Sequence, residues 1–217
     1  MGKSFETHHN AELPTTPEQI WDAIATGPGI SSWFIGRTEI HDTTVRTHFG
    51  DDWIPTGTIT THQAPTHFAY RTTTAPDGRF IAYEYLIEAR DHSATHLRTV
   101  TSGFLPGDDW EDEYEAMQHG TALFFATLVE YLTHFPGRTA TPVTAFGPPV
   151  TDWPTTWQNL RQALPDGHIY HENPHALALR TNRGLYRYLR GFHGSLVADH
   201  ELFAPDNTDW NTFLRAL

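Results

Sequence analysis

Residues 103–138, GFLPGDDWEDEYEAMQHGTALFFATLVEYLTHFPGR, constrain the fold more than any other part of this chain. Pro106-Gly107 breaks the preceding chain, and Asp108 or Asp109 is placed to cap a first helical turn. Asp108, Asp109, Glu111, Asp112 and Glu113 crowd that end, where a helix dipole favours negative charge. Pro136-Gly137 stops the helix, with His134 and Arg138 near its end. The span is roughly 26 residues, or about 40 Å at 1.5 Å per residue. Trp110, Tyr114, Met117, Thr121, Phe124, Leu128, Tyr131 and Phe135 recur at three- and four-residue spacing and make one apolar stripe.

A helix this long, following mostly strand-like sequence, has to lie across a sheet. We expect a curved sheet gripping a helix, with a cavity between them. Gly120 sits mid-helix at a cost of about 1 kcal/mol relative to Ala, which points to close backbone approach or to room left for something else. The stripe is also graded. Tyr114, Gln118 and Thr121 mix with apolar groups in its first half, and its second half is fully apolar. That grading suits a helix that roofs a ligand cavity at one end and seals a core at the other. The plainer alternative is a surface helix on an ordinary core.

The segment before the helix reads as β-α-α-β6-α. Residues 3–13 form an opening strand. Thr16 and Gln19 make a capping-box pair with Pro17 at the first helical position, Gly27-Pro28-Gly29 ends that helix, and residues 30–34 form a second short helix. Strand signals follow at 37–41, 45–49, 57–62, 67–73, 80–89 and 94–102, separated by turn residues such as Pro76-Asp77-Gly78. Alternation turns Ile81, Tyr83, Tyr85 and Ile87 towards the helix, with Phe68, Tyr70, Leu97, Thr99 and Thr101 from neighbouring strands. Inward tyrosine and threonine hydroxyls need partners. A wet or ligand-filled cavity would supply them, and so would backbone carbonyls.

Residues 136–150 hold four prolines and read as a linker. Beyond it we expect a helix at 153–164 capped by Asp152, strands at 176–181, 185–190 and 195–203, and a closing helix at 206–217. Residues 139–217 have a thin core that should dock on the first unit.

Composition narrows the function classes. A net charge of −12, with Lys3 the only lysine and no basic cluster, disfavours nucleic acid and anionic membranes. No apolar run approaches the roughly 18 residues of a bilayer span, and residues 1–13 have no signal-peptide core, so a cytoplasmic, soluble protein is expected. The absence of cysteine excludes disulfides and thiol chemistry.

Four pieces carry a family resemblance: PEQIWDAI in the first helix, SSWF after the Gly-Pro-Gly break, PTGTITTHQAPTHFAY in the middle strands, and SGF…DDWEDEYEAMQHGTALFFATLVEYL. With these, residues 1–138 resemble the SRPBCC superfamily, also called START-like or Bet v 1-like, and within it the AHSA1-like family. Residues 139–217 look like an extension seen on some bacterial members. The resemblance implies an α+β helix-grip fold, a seven-stranded antiparallel sheet around the long helix, with a small α+β extension. Carried over by position, it implies a ligand cavity lined by Trp33, Phe34, Trp53, Phe68, Tyr70, Tyr83, Tyr85, Leu97, Thr99, Tyr114, Met117, Gln118, Thr121 and Phe125. The superfamily hosts carriers, receptors, cyclases and hydrolases, so fold alone assigns no chemistry.

The expected function is binding of a small hydrophobic or aromatic molecule, as a carrier or sensor. The alternatives are a polyketide cyclase or aromatase-like enzyme in the same cavity, and a co-chaperone-like interaction module. For an enzyme, Tyr70, Tyr83, Tyr85, Tyr114 and Gln118 would polarise a carbonyl, with no inward histidine or carboxylate as base. No cofactor and no metal are expected, and a homodimer is the one assembly considered. His168, His171 and His175 have helical ligand spacing, but Pro174 and Glu172-Asn173 oppose a helix, so that segment reads as a solvated loop. His8, His9, His92 and His96 read as surface residues, and residues 108–115 as a solvated acidic face. G-x-S-x-G, P-loop and G-x-G-x-x-G motifs are absent.

Overall fold

The computed structural model describes residues 2–50, 52–90, 94–107, 110–191 and 194–217. Asp108, Asp109 and His92, and the side chains of Asp52, Trp53, Trp110 and Asp112, lie outside the described residues. The caps proposed for the long helix and the Trp53 site assignment fall there.

The described chain is α+β with two antiparallel sheets. It runs β1 (Lys3–Leu13), α1 (Pro17–Ala25), α2 (Gly27–Ile30), β2 (Arg37–His41), β3 (Thr44–Phe49), β4 (Asp52–Trp53), β5 (Gly57–Gln63), β6 (His67–Thr72), β7 (Phe80–Ala89) and β8 (Thr95–Leu105). The 25-residue α3 (Trp110–His134) follows. Then come β9 (Thr141–Pro149), α4 (Trp153–Ala163), β10 (His168–Asn173), β11 (Ala176–Arg180), β12 (Gly184–Arg190), β13 (Ser195–Leu202) and α5 (Trp210–Arg215).

The first sheet orders its strands β1-β8-β7-β6-β5-β3-β2, and the two-residue β4 pairs with β3 as an eighth strand beyond the seven expected. Hydrophobic alternation sets its buried face. Phe5 and Leu13 on β1, Phe68 and Tyr70 on β6, Tyr85 and Ile87 on β7, and Leu97 on β8 are all buried. At the start of α1 the reciprocal Thr16–Gln19 pair forms, with Gln19 N–H donating to Thr16 Oγ1 at 3.3 Å and Thr16 N–H donating to Gln19 Oε1 at 3.1 Å. Ile20, Ala23 and Ile24 then face inward, and Trp33 Nε1–H donates to Ala23 O at 2.9 Å. The Gly27-Pro28-Gly29 segment is itself a helical turn, because Thr26 caps it by accepting from Gly29 N–H at 3.0 Å. The short helix therefore lies at 27–30, ahead of the 30–34 expected.

The second sheet is β10-β11-β12-β13-β9. Two of its strands correct the sequence reading. Residues 141–149, read as linker, form edge strand β9 against β13, with Pro142 opposite Glu201 and Pro149 opposite Ser195. Proline is tolerated there because an edge strand leaves one side unpaired. Residues 168–173, read as loop, form the opposite edge strand β10, with a register shift between Ile169 and His171. That bulge breaks the two-residue period that would have announced a strand. The closing helix is shorter than expected, at Trp210–Arg215, because its cap is Asp209 accepting from Thr212 N–H at 3.1 Å.

Helix α3 lies between the two sheets. Leu128, Tyr131, Leu132 and Phe135 join the first sheet's core, and Leu123 packs with Ala176 and Ala178 of β11. Thr127 Oγ1 meets Tyr170 Oη at 3.2 Å, and Arg180 Nε donates to Glu130 Oε2 at 2.6 Å.

Candidate functional site

Between the first sheet and the N-terminal half of α3 lies a cavity of about 320 Å³. Its floor is Tyr83 and Tyr85 of β7 with Thr99 and Thr101 of β8, and its roof is Met117, Gly120, Thr121, Phe124 and Phe125 of α3. Trp33, Phe34 and Leu128 close the buried end. A Cβ built on Gly120 would meet nothing within 4 Å, so the glycine leaves open space. Of the two reasons a mid-helix glycine suggests, room is the one realised.

The cavity wall also contains a histidine. His9 lies on β1 in the alternation Phe5, Thr7, His9, Ala11, Leu13, whose members face inward and are buried or half-buried. Its ring stacks on Phe125 at 5.2 Å between centroids, with 18° between planes. Thr121 Oγ1 lies 3.4 Å from His9 Nε2 and 3.1 Å from Gln118 O. Burial and then the neighbouring His8 lower the His9 pKa, which keeps the ring neutral near pH 7. Reading His9 as a surface residue is thus corrected. The period of β1 carried that signal, and the adjacent His8 masked it.

At the solvent end, Arg79 and Glu113 form a two-pronged ion pair, Nη2 to Oε1 and Nη1 to Oε2 both at 3.1 Å. It ties the start of β7 to the first turns of α3 across the cavity lining. Glu113 is therefore paired, where the acidic run as a whole reads as a solvated face.

The tyrosine floor is apolar in character despite its hydroxyls. Tyr70 stacks on Tyr83 at 4.9 Å. Burial pushes the Tyr83 phenol up to about 12 and also raises Tyr70 and Tyr85 well above the ordinary 10, so all three stay protonated at neutral pH. They can donate hydrogen bonds and cannot act as phenolate bases.

Of the residues expected to line a site, Trp33, Phe34, Tyr83, Tyr85, Thr99, Met117, Thr121 and Phe125 surround this cavity. Phe68, Tyr70 and Leu97 sit in the packed core behind it. Gln118 is exposed and donates to Tyr114 Oη at 2.9 Å, and Tyr114 packs edge-on to Phe5. Neither borders the cavity: Gln118 turns to solvent, and the Tyr114 ring is taken up against Phe5 of β1. Sequence reasoning did not nominate His9, Arg79, Leu105, Glu113, Ala116 or Phe124.

Residues 139–217 brace the buried end of the cavity. The wholly buried Arg187 of β12 donates from Nη1 to Trp33 O at 2.6 Å and from Nη2 to Phe34 O at 3.0 Å. The same guanidinium pairs with the buried carboxylates of Asp199 and Glu201 and lies over the Phe124 ring at 5.1 Å. Asp199 Oδ1 accepts from Gly36 N–H at 3.3 Å. Burial opposes the charge on Arg187, and Asp199 and Glu201 outweigh it, so its pKa is raised.

The fold and site together describe an α+β protein with a small cavity, open at one end, between an antiparallel sheet and a long helix. No family model matches the sequence, and no curated protein does. Among solved structures, the chain is similar to the Aha1 dimer from Colwellia psychrerythraea, at 17% identity over 59% of this chain and 96% of that one, with a TM-score of 0.48. It is also similar to the protein XoxI from Bacillus cereus, at 18% identity over 58% of this chain and 94% of that one, with a TM-score of 0.47. A third is the allergen Ara h 8.0201, at 14% identity over 60% of this chain and 98% of that one, with a TM-score of 0.45.

Proposed function

We propose that this chain is a helix-grip protein that binds a small hydrophobic or aromatic molecule in the cavity under α3, as a carrier or sensor. The observation that carries this reading is the cavity itself. Its volume falls at the lower end of small-molecule sites, and its walls are mostly aromatic and aliphatic. Few polar groups converge on it: the protonated Tyr83 and Tyr85 hydroxyls, Thr99 and Thr101, neutral His9, and the Arg79–Glu113 pair at the solvent end. Such a set orients a planar ligand carrying one or two hydrogen-bonding groups. A pure interaction module has no need of it.

Native mass spectrometry of the purified protein, with anilinonaphthalene sulfonate as a fluorescent probe, tests the proposal. The wild type should carry a small molecule or bind the probe one-to-one, and Gly120→Phe and Thr121→Trp should lose that binding while keeping their circular dichroism. Equal probe binding in all three proteins would overturn it.

His9 supports a second reading, an enzyme of the cyclase or aromatase kind. A neutral imidazole beside phenol donors is the pairing that acid–base catalysis on a carbonyl compound needs. His9→Gln separates the two. If the protein is a carrier, neither wild type nor variant converts the co-purifying molecule, whereas for an enzyme the wild type forms a product from it and the variant does not.

A further inference from the structure

Opposite the cavity, α3 turns a second stripe towards the other sheet. Lower on that face Leu123, Thr127 and Glu130 meet β10 and β11. One and two turns above Leu123, the same face carries His119 and Glu115, four residues apart. The turn joining β10 to β11 brings His175 against them. Pro174, which rules out a helix there, is what turns the chain so that His175 stands across from α3.

We propose that Glu115, His119 and His175 form a binding site for one divalent transition-metal ion of the zinc class. Their candidate ligand atoms all lie within 4.8 Å of one another. His119 Nε2 and Glu115 Oε1 are 3.6 Å apart, close to the edge of about 3.4 Å that two ligands at zinc–nitrogen and zinc–oxygen distances subtend in a tetrahedron. The His119 and His175 rings face each other at 4.8 Å between centroids with 31° between planes. Neither ring is buried and Glu115 is exposed, so small side-chain rotations complete the set without moving backbone. Asn173 braces the turn that carries His175. Its Oδ1 accepts from His175 N–H at 2.8 Å and so fixes the turn that presents His175, while its Nδ2 lies 3.0 Å from His171 Nε2. Two imidazoles and one carboxylate suit a borderline-soft divalent ion and leave a fourth position for water. The bound ion would clip the cavity-roofing half of α3 to the β10–β11 turn.

The test uses the full chain, free of any histidine tag and stripped with chelator, titrated with zinc chloride by calorimetry and checked by elemental analysis. We expect one zinc per chain, an affinity at least tenfold weaker in both His119→Ala and His175→Ala, and no change in His168→Ala. Glu115→Gln, at an exposed position that does not threaten folding, should weaken zinc binding as well. Cobalt chloride should give tetrahedral visible absorption in the wild type and lose it in His119→Ala. Failure to bind one equivalent, or binding undiminished in His119→Ala, His175→Ala and Glu115→Gln, would overturn the proposal.

Discussion

Gly120 and His200 show how single positions trade stability for other ends. A methyl group on Gly120 would enter open space, so Gly120→Ala should recover helix propensity without a clash. We expect urea unfolding to show a gain of about 0.5–1 kcal/mol. A loss would mean that the helix tolerates no side chain at that point. His200 illustrates the opposite arrangement. It is fully buried among Tyr186, Tyr188 and Trp210, and its Nδ1 accepts from Arg187 N–H at 3.2 Å. Burial, and then the Arg187 charge, lower its pKa to about 3 from an ordinary 6.5. The unfolded chain thus binds a proton on this residue between those values and the folded chain does not. Its contribution is full above pH 6.5 and fades as pH falls towards 3, by up to about 1.4 kcal/mol per pH unit. Melting temperature recorded from pH 7.5 to pH 4 should fall less steeply for His200→Gln than for the wild type.

At the scale of elements, the buried Arg187 fork links β12 to the loop between α2 and β2. Removing it leaves Asp199 and Glu201 buried without a counter-charge, so Arg187→Met should cost about 3–5 kcal/mol in urea unfolding. Arg187→Lys should also destabilise, since a single ammonium cannot reach the Trp33 and Phe34 carbonyls and both carboxylates together. A near-neutral lysine variant would show that the charge matters and the fork does not. The elements themselves were legible to different degrees. β1, β2 and β7 are visible residue for residue, and in β1 one face is buried or half-buried and the other wet, which imposes a clean period of two. β9 and β10 were hidden because edge strands admit proline and bulges. The cavity-facing side of α3 could be read from Gly120 and Thr121. The histidine set could not, because its members come from a helix and from a turn 56 residues further on, and only the tertiary fold brings them together.

For the whole molecule, the consequence of two sheets on one helix is interdependence. Leu123 rests on β11, and Trp33 and Phe34 are held by Arg187, so residues 1–138 alone would expose an apolar helix face and release the closed end of the cavity. We expect that fragment to lose near-ultraviolet circular dichroism while keeping much of its far-ultraviolet signal. A fragment with native near-ultraviolet dichroism would show the second sheet to be an accessory. No helix among the described residues is long and apolar enough to cross a membrane. The interior position of α3 also shapes how its sequence can drift. A helix on a protein surface has one side where substitutions pass unnoticed, and this one has almost none below His119. A saturation library across residues 119–134 should show intolerance around most of the circumference, relaxed at few positions. Neutral variation in this protein would then collect in its loops and strand edges, and the helix would remain its slowest-changing segment.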